Sequence, residues 1–171
     1  MEQEKTQPMD QEALDALMKD CIADLREMGI PVSRRIRPRV KINTRAKKRY
    51  GCCYCENGGY IIEVASVLLE IPSLRSRLVE TLYHELLHSC QGCSNHADRW
   101  KAYAQKVNQV KGTKISRTAE PWNEEAVQEM PYLLQCESCQ NKIGRWRISN
   151  AVKDPERYRC GKCGGRLVRL K

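Results

Sequence analysis

All three histidines of this 171-residue chain fall within thirteen residues, in His84-Glu85-Leu86-Leu87-His88 and at His96. Two of them stand four apart, with a glutamate directly after the first: the HExxH pattern. Residues four apart on an α-helix project from one face, so both imidazoles can reach one metal ion. Glu85 lies about 100° round the helix from His84, where a carboxylate can hydrogen-bond a water beside the metal and take its proton. A catalytic zinc takes three protein ligands and keeps one position for water, whose pKa it lowers to about 7. His84 and His88 supply two ligands. His96 is the natural third, because the intervening Ser-Cys-Gln-Gly-Cys-Ser-Asn is a turn-like segment able to fold back over the site. A downstream glutamate (Glu120, Glu124, Glu125 or Glu129) is the alternative. The metzincin spacing is absent: the third histidine comes eight residues after the second instead of six, and position 91 is Gln. The competing reading is a buried histidine group satisfied by hydrogen bonds.

The flanking residues place this motif on a long helix opened by Pro72-Ser73. Leu74, Leu78, Leu82 and Leu86 line one face, and His84 lies about 200° round from Leu82, so the leucine stripe buries the helix and the opposite side presents the ligands. Upstream, residues 1–8 read as a disordered tail. Leu14, Leu17, Met18, Cys21, Ile22 and Leu25 recur at helical spacing after a candidate N-cap, Asp10, and Gly29-Ile30-Pro31 ends that helix. Residues 38–70 read as a small antiparallel sheet, with Val40–Asn43, a run through Tyr50, Cys52, Cys53 and Cys55, and Tyr60–Val64 as strands around an Asn57-Gly58-Gly59 turn. A further helix is expected from Ala97 through Trp100 and Val107 to Gly112. Residues 113–131 read as a polar connector.

Ten cysteines indicate either a secreted disulfide scaffold or an intracellular metal protein. The polar N-terminus has no apolar signal-like run, and the longest apolar stretch is too short and too charged to span a bilayer, so a cytoplasmic protein without a membrane partner is expected. Cys136-Glu-Ser-Cys139 and Cys160-Gly-Lys-Cys163 form two CxxC knuckles twenty residues apart. Four thiolates at two tight turns make a closed structural zinc site, against the alternative of a redox dithiol. Short strands at Tyr132–Leu134, Trp146–Ile148 and Leu167-Val168 are expected around it. Forty residues hold little core, so the metal would supply most of the folding energy. The Cys90/Cys93 pair is open to three readings: a disulfide bracing the His96 loop, a redox switch, or two inert side chains. A second metal site from Cys52, Cys55, Cys90 and Cys93 is conceivable. Cys21 is expected in the core.

The formal charge of +9 is unevenly placed. Residues 132–171 carry ten Lys/Arg against three Asp/Glu, and Arg34–Arg49 carries nine basic residues and no acid. Such blocks suit a polyanion, DNA first, against the alternative of a solvated surface or of a ribbon that only braces its neighbour.

The order of features resembles the SprT-like metalloprotease family, which includes bacterial SprT proteins and the eukaryotic Spartan proteases. It consists of an N-terminal helix, a short sheet, LVETLYHELLHSC over 78–90, a third histidine, a helix carrying Trp100, and a zinc ribbon. The resemblance covers about residues 10–171. It implies His84, His88 and His96 as ligands of a catalytic Zn2+, Glu85 as general base, and protein substrates, including proteins held on DNA. The spacing to the third histidine is short for that family. The expected fold is α+β: a zincin-like domain over 9–131, including the connector, and a β-ribbon over 132–171 holding a structural Zn2+ on Cys136, Cys139, Cys160 and Cys163. The expected activity is zinc-dependent peptide hydrolysis. The rival is a nucleic-acid-binding or transcription-related regulatory zinc protein with little or no protease activity.

Overall fold

The computed structural model describes residues 8–46, 49–118 and 122–171; residues 1–7 of the expected tail, Lys47 and Lys48 of the basic run, and Glu120 lie outside it. The fold is α+β, and the chain divides into two compact units, residues 1–119 and 120–171.

Helix α1 spans Gln11–Glu27. The Asp10 carboxylate accepts the Ala13 N–H at 2.8 Å, the N-cap its position predicts. Leu14, Met18, Cys21 and Leu25 form the buried stripe. The polar side of the helix has its own task. Asp15 accepts the Val40 N–H and Gln11 donates to the Val40 carbonyl, pinning the chain as it enters the sheet.

Strands β1 (Lys41–Asn43), β2 (Gly51–Glu56) and β3 (Gly59–Ala65) form one sheet in the order β1-β3-β2. Strands β2 and β3 are a hairpin turned by Asn57 and Gly58, both at positive φ, as the Asn-Gly pair predicts. The expected all-antiparallel sheet is corrected at β1, which runs parallel to β3 with Ile42 opposite Val64. The physical reason is burial. Strand β3 carries most of the sheet's buried residues and takes the centre, so β1 and β2 flank it and the chain crosses from one edge to the other.

A short helix α2 (Val67–Glu70) and a single 3-10 turn at Pro72–Leu74 precede α3 (Arg75–Leu87). The main helix therefore starts three residues later than Pro72. Leu74, Leu78, Leu82 and Leu86 are buried as predicted, but Tyr83, Glu85 and Leu87 are buried too. The ligand side of α3 is partly covered, with His84 and His88 half-buried. Helix α4 (Asp98–Lys111) ends on Gly112 at φ +66°, the left-handed cap that glycine adopts without steric cost. Asp24 ties the three long helices together: Tyr83 of α3 donates to it at 2.6 Å, and Lys111 of α4 pairs with it at 2.6 Å. Among the described residues, no helix is long and apolar enough to cross a membrane.

In the second unit, α5 (Glu124–Glu129) begins on Asn123, whose side chain accepts the Ala126 N–H. It lies so close to the sheet that a Cβ on Gly144 would stand 3.1 Å from Val127. The boundary expected at 131/132 thus moves to 119/120, because the end of the connector packs with the ribbon. Strands β4 (Tyr132–Cys136), β5 (Lys142–Arg145) and β6 (Leu167–Arg169) form an antiparallel sheet in the order β5-β4-β6, with α6 (Asn150–Lys153) between β5 and β6 in the chain. The middle strand falls at 142–145 instead of 146–148. The chain reverses at Gln140, with φ +58°, and pairs at once, Ile143 opposite Leu134. Trp146 instead meets the ring of Trp122 edge-on at 5.4 Å.

Candidate metal centres and active-site cleft

Helix α3 carries His84 and Glu85 in its last turn and ends on His88, whose N–H reaches back to the Glu85 carbonyl. The chain then turns at Cys90–Cys93 and returns His96 to the same place. The three Nε2 atoms stand 2.9 Å (His84–His96), 3.2 Å (His88–His96) and 3.3 Å (His84–His88) apart. A tetrahedral ion with bonds of about 2.0–2.1 Å separates its nitrogen ligands by about 3.3 Å, so the cluster fits one zinc ion. The other ring nitrogens support this. His84 Nδ1 is 3.1 Å from the Ser116 carbonyl and His88 Nδ1 is 2.7 Å from the Cys93 carbonyl. A carbonyl can only accept, so each Nδ1 carries the proton and each Nε2 presents a lone pair to the centre. Burial holds the His84 pKa down to about 4, helped by His88 and His96, so the ring is a neutral donor. His96 is lowered by burial, His88 and Arg117. Trp100 of α4, 2 % exposed, backs all three rings at centroid distances of 4.5–5.7 Å.

Glu85 is 7 % exposed. Burial pushes its carboxyl up to about 7, against the opposing pull of Arg49 and of the Cys53 main-chain N–H, which donates to it. The start of β2 closes over this carboxylate. A Cβ at Gly51 would stand 2.8 Å from Glu85 Oε1 and 2.7 Å from Thr81 Cγ2, so only glycine lets the strand come this near.

Beside these groups lies a cleft of about 270 Å³, walled by Arg49–Gly51, by Arg77, Thr81, His84 and Glu85 of α3, and by the strap 114–118.

In the second unit, the sulfurs of Cys136, Cys139, Cys160 and Cys163 all lie within 4.8 Å of one another, with Cys136–Cys163 at 3.5 Å and Cys139–Cys160 at 3.7 Å. Zinc–sulfur bonds of about 2.3 Å place sulfurs about 3.7 Å apart, so this cluster also fits one ion. Main-chain N–H groups of Cys139 and Ser138 lower the Cys136 thiol to about 6, and those of Lys162 and Cys163 lower Cys160. A Cβ at Gly165 would fall 2.7 Å from Cys136 Sγ, which is why that knuckle needs glycine.

The SprT-like family model matches residues 19–119, more than half of the chain. The chain belongs to the SprT-like family. It is 28% identical over 171 residues to a Protein SprT-like of Bacillus velezensis, covering 95% of this chain and 99% of that protein. It is 31% identical over 101 residues to a Protein SprT-like of Bacillus subtilis, covering 56% and 61%. It is 30% identical over 105 residues to the Germ cell nuclear acidic protein of Homo sapiens, covering 58% of this chain and 14% of that protein.

In this SprT-like chain the described ligand groups converge at two places only, the three histidines and the four ribbon cysteines. Cys52, Cys55, Cys90 and Cys93 do not assemble a third. Glu124, Glu125 and Glu129 belong to the second unit, and Glu120 lies outside the described residues. All ten cysteines are free thiols. Burial pushes Cys53 and Cys90 up to about 12, so both stay protonated and unreactive at neutral pH. Cys21 is core. Sequence reasoning missed Gly51, the Cys53 amide and the carbonyls of Cys93 and Ser116. Main-chain donors and acceptors leave no mark in residue types; the glycine at 51 was the one visible signal.

Proposed function

We propose that this SprT-like chain is a zinc metallopeptidase with a zincin-like catalytic domain. His84, His88 and His96 hold the catalytic Zn2+, and Glu85 serves as general base. One observation carries the reading: three lone pairs meet within 3.3 Å, two of their rings are fixed through Nδ1, and a buried carboxylate stands next to them in the chain. A purely structural metal needs no such carboxylate. When bound, the metal supplies a Lewis acid that polarises a carbonyl and lets water ionise near neutral pH. Glu85 accepts the proton of the attacking water and returns it to the leaving amine. Burial raises its carboxyl toward the range in which a group both takes and gives protons, and the positive charge of a bound ion would draw it back down toward the ionised form that a base needs. Arg49 and the Cys53 amide keep the carboxylate from being wholly protonated in its buried place.

The ribbon cysteines hold a structural Zn2+. The substrates are proteins, among them proteins on DNA, with the nucleic acid met by the basic ribbon and by the Arg34–Arg49 region. The described arginines of the 34–49 region are exposed. A human relative named as a nuclear protein is in keeping with a DNA-associated setting. The six cysteines outside the ribbon, none of them in a disulfide, accord with a reducing, cytoplasmic location.

The test is cleavage of DNA-binding proteins with and without DNA by wild type and Glu85→Gln, paired with elemental analysis. Wild type cuts and Glu85→Gln does not. Both carry two zinc ions per chain, and His84→Ala carries one. Equal behaviour of wild type and Glu85→Gln, with DNA binding intact, would favour the nucleic-acid-binding reading instead.

A further inference from the structure

The cleft beside the imidazoles is small and positively charged. At about 270 Å³ it is below the range of about 300–1,000 Å³ typical of small-molecule sites, and suits one side chain of an extended substrate. Arg49, Lys114 and Arg117 line it together with Arg77, which lies over the Tyr50 ring. Its carboxylates are already engaged. Glu80 accepts the Lys114 main-chain N–H at 2.8 Å, and Glu85 accepts the Cys53 N–H. Arg49 shares the single carboxylate of Glu63 with Lys41. Among the described residues, neither Lys114 nor Arg117 has a carboxylate within ion-pair distance.

The strap bearing these two cations is held rigidly. Asn108 of α4 donates to the Ile115 carbonyl at 2.9 Å and accepts the Ile115 N–H at 2.8 Å, and Thr113 adds a bond to the same oxygen. Ile115 is buried, and the next carbonyl, of Ser116, is the one bound by His84. Arg117 therefore stands on a fixed backbone one residue from a ligand's partner. A positive cleft with low-dielectric walls concentrates field on whatever enters it. We propose that this cleft is a specificity subsite for an acidic side chain, aspartate or glutamate, of the peptide substrate, and that Arg117 is the residue that selects it.

The proposal rests on the peptidase reading, and the experiment separates the two. Zinc-loaded full-length Glu85→Gln protein is titrated with fluorescent peptides that differ only in Asp or Glu against Asn or Gln at each position in turn. At one position the acid should bind about tenfold more tightly at low salt. Arg117→Glu should abolish that preference and Arg117→Lys should keep part of it. Arg117 is exposed, so neither change disturbs the core. In parallel, wild type digests a degenerate peptide mixture and the cut sites are read by mass spectrometry. Acids should be enriched at one position near the cut, and Arg117→Glu should remove the enrichment. If wild type cuts no more than Glu85→Gln, the peptidase reading fails while the binding titration still judges the subsite. Equal affinity for acid and amide peptides, or an unchanged preference in Arg117→Glu, overturns the proposal. So does displacement of bound peptide by a short single-stranded oligodeoxynucleotide that depends on Arg117, which would make the cleft a phosphate site.

Discussion

A methyl group at position 51 would meet both Thr81 and the Glu85 carboxylate at distances real Cβ atoms do not show. Gly51→Ala must therefore move β2 or the carboxylate. Overpacking of this kind costs about 1–3 kcal/mol. We expect catalysis to fall by at least about tenfold, since small misplacements of a catalytic group are costly, while zinc content stays at the wild-type value; steady-state kinetics with elemental analysis checks both. Trp100 gives a second residue-scale prediction. Its Nε1–H is buried without an acceptor among the described residues, so the ring contributes by packing and not by hydrogen bonding. Trp100→Phe should keep metal affinity close to wild type and cost clearly less stability than Trp100→Ala, because no hydrogen bond is lost and only part of the buried ring is removed. Trp100→Ala removes the wall behind all three imidazoles and should cost about 3–5 kcal/mol, read from the melting temperature and from zinc titration.

Between elements, Asp24 joins α1, α3 and α4, and its ionisation gives the assembly a pH dependence. Burial alone would raise the carboxyl, but the hydrogen bonds from Lys111 and Tyr83 outweigh it and hold it below the ordinary carboxylate range. A group depressed in the folded state stabilises above its unfolded pKa of about 3.9 and loses that contribution as pH falls through the folded value. Asp24→Asn should therefore lower stability by about 1–2 kcal/mol at neutral pH, and the gap between the two denaturation curves should close as pH falls through the folded value of Asp24; a gap that stays constant with pH would refute the assignment. The helical elements were legible because their signals are local. Asp10 caps α1, Gly112 ends α4, and the four-residue step of HExxH is the helix period itself. The parallel pairing of β1 was not legible, because strand direction depends on which strand takes the centre, a matter of competition among distant segments. The strap at 114–118 was equally hidden. It has no periodicity, and Asn108 fixes it through main-chain atoms seven residues on.

At the scale of the whole molecule, each unit has its own ion-sized cluster and its own core. The ribbon's core is small: Leu134, Cys136, Cys160 and Leu167 with three partly buried neighbours. Two of those four are thiols, so a metal held by the ribbon cysteines would make binding and folding one event there. Cys139→Ser combined with Cys160→Ser should remove one zinc per chain and expose residues 120–171 to protease, while the histidine cluster keeps its ion; loss of both ions would show that the units are not independent. The same variant should bind DNA more weakly and with a shallower dependence on salt. The atoms that hold Glu85, His84 and His88 in place are the Cys53 amide and the Ser116 and Cys93 carbonyls, which every amino acid except proline at 53 provides. The support of the site is therefore written in the path of the backbone and not in the letters at these positions: a ring-closed residue at 53 would remove the amide, while at the fully buried position 93 any replacement must also fit the core.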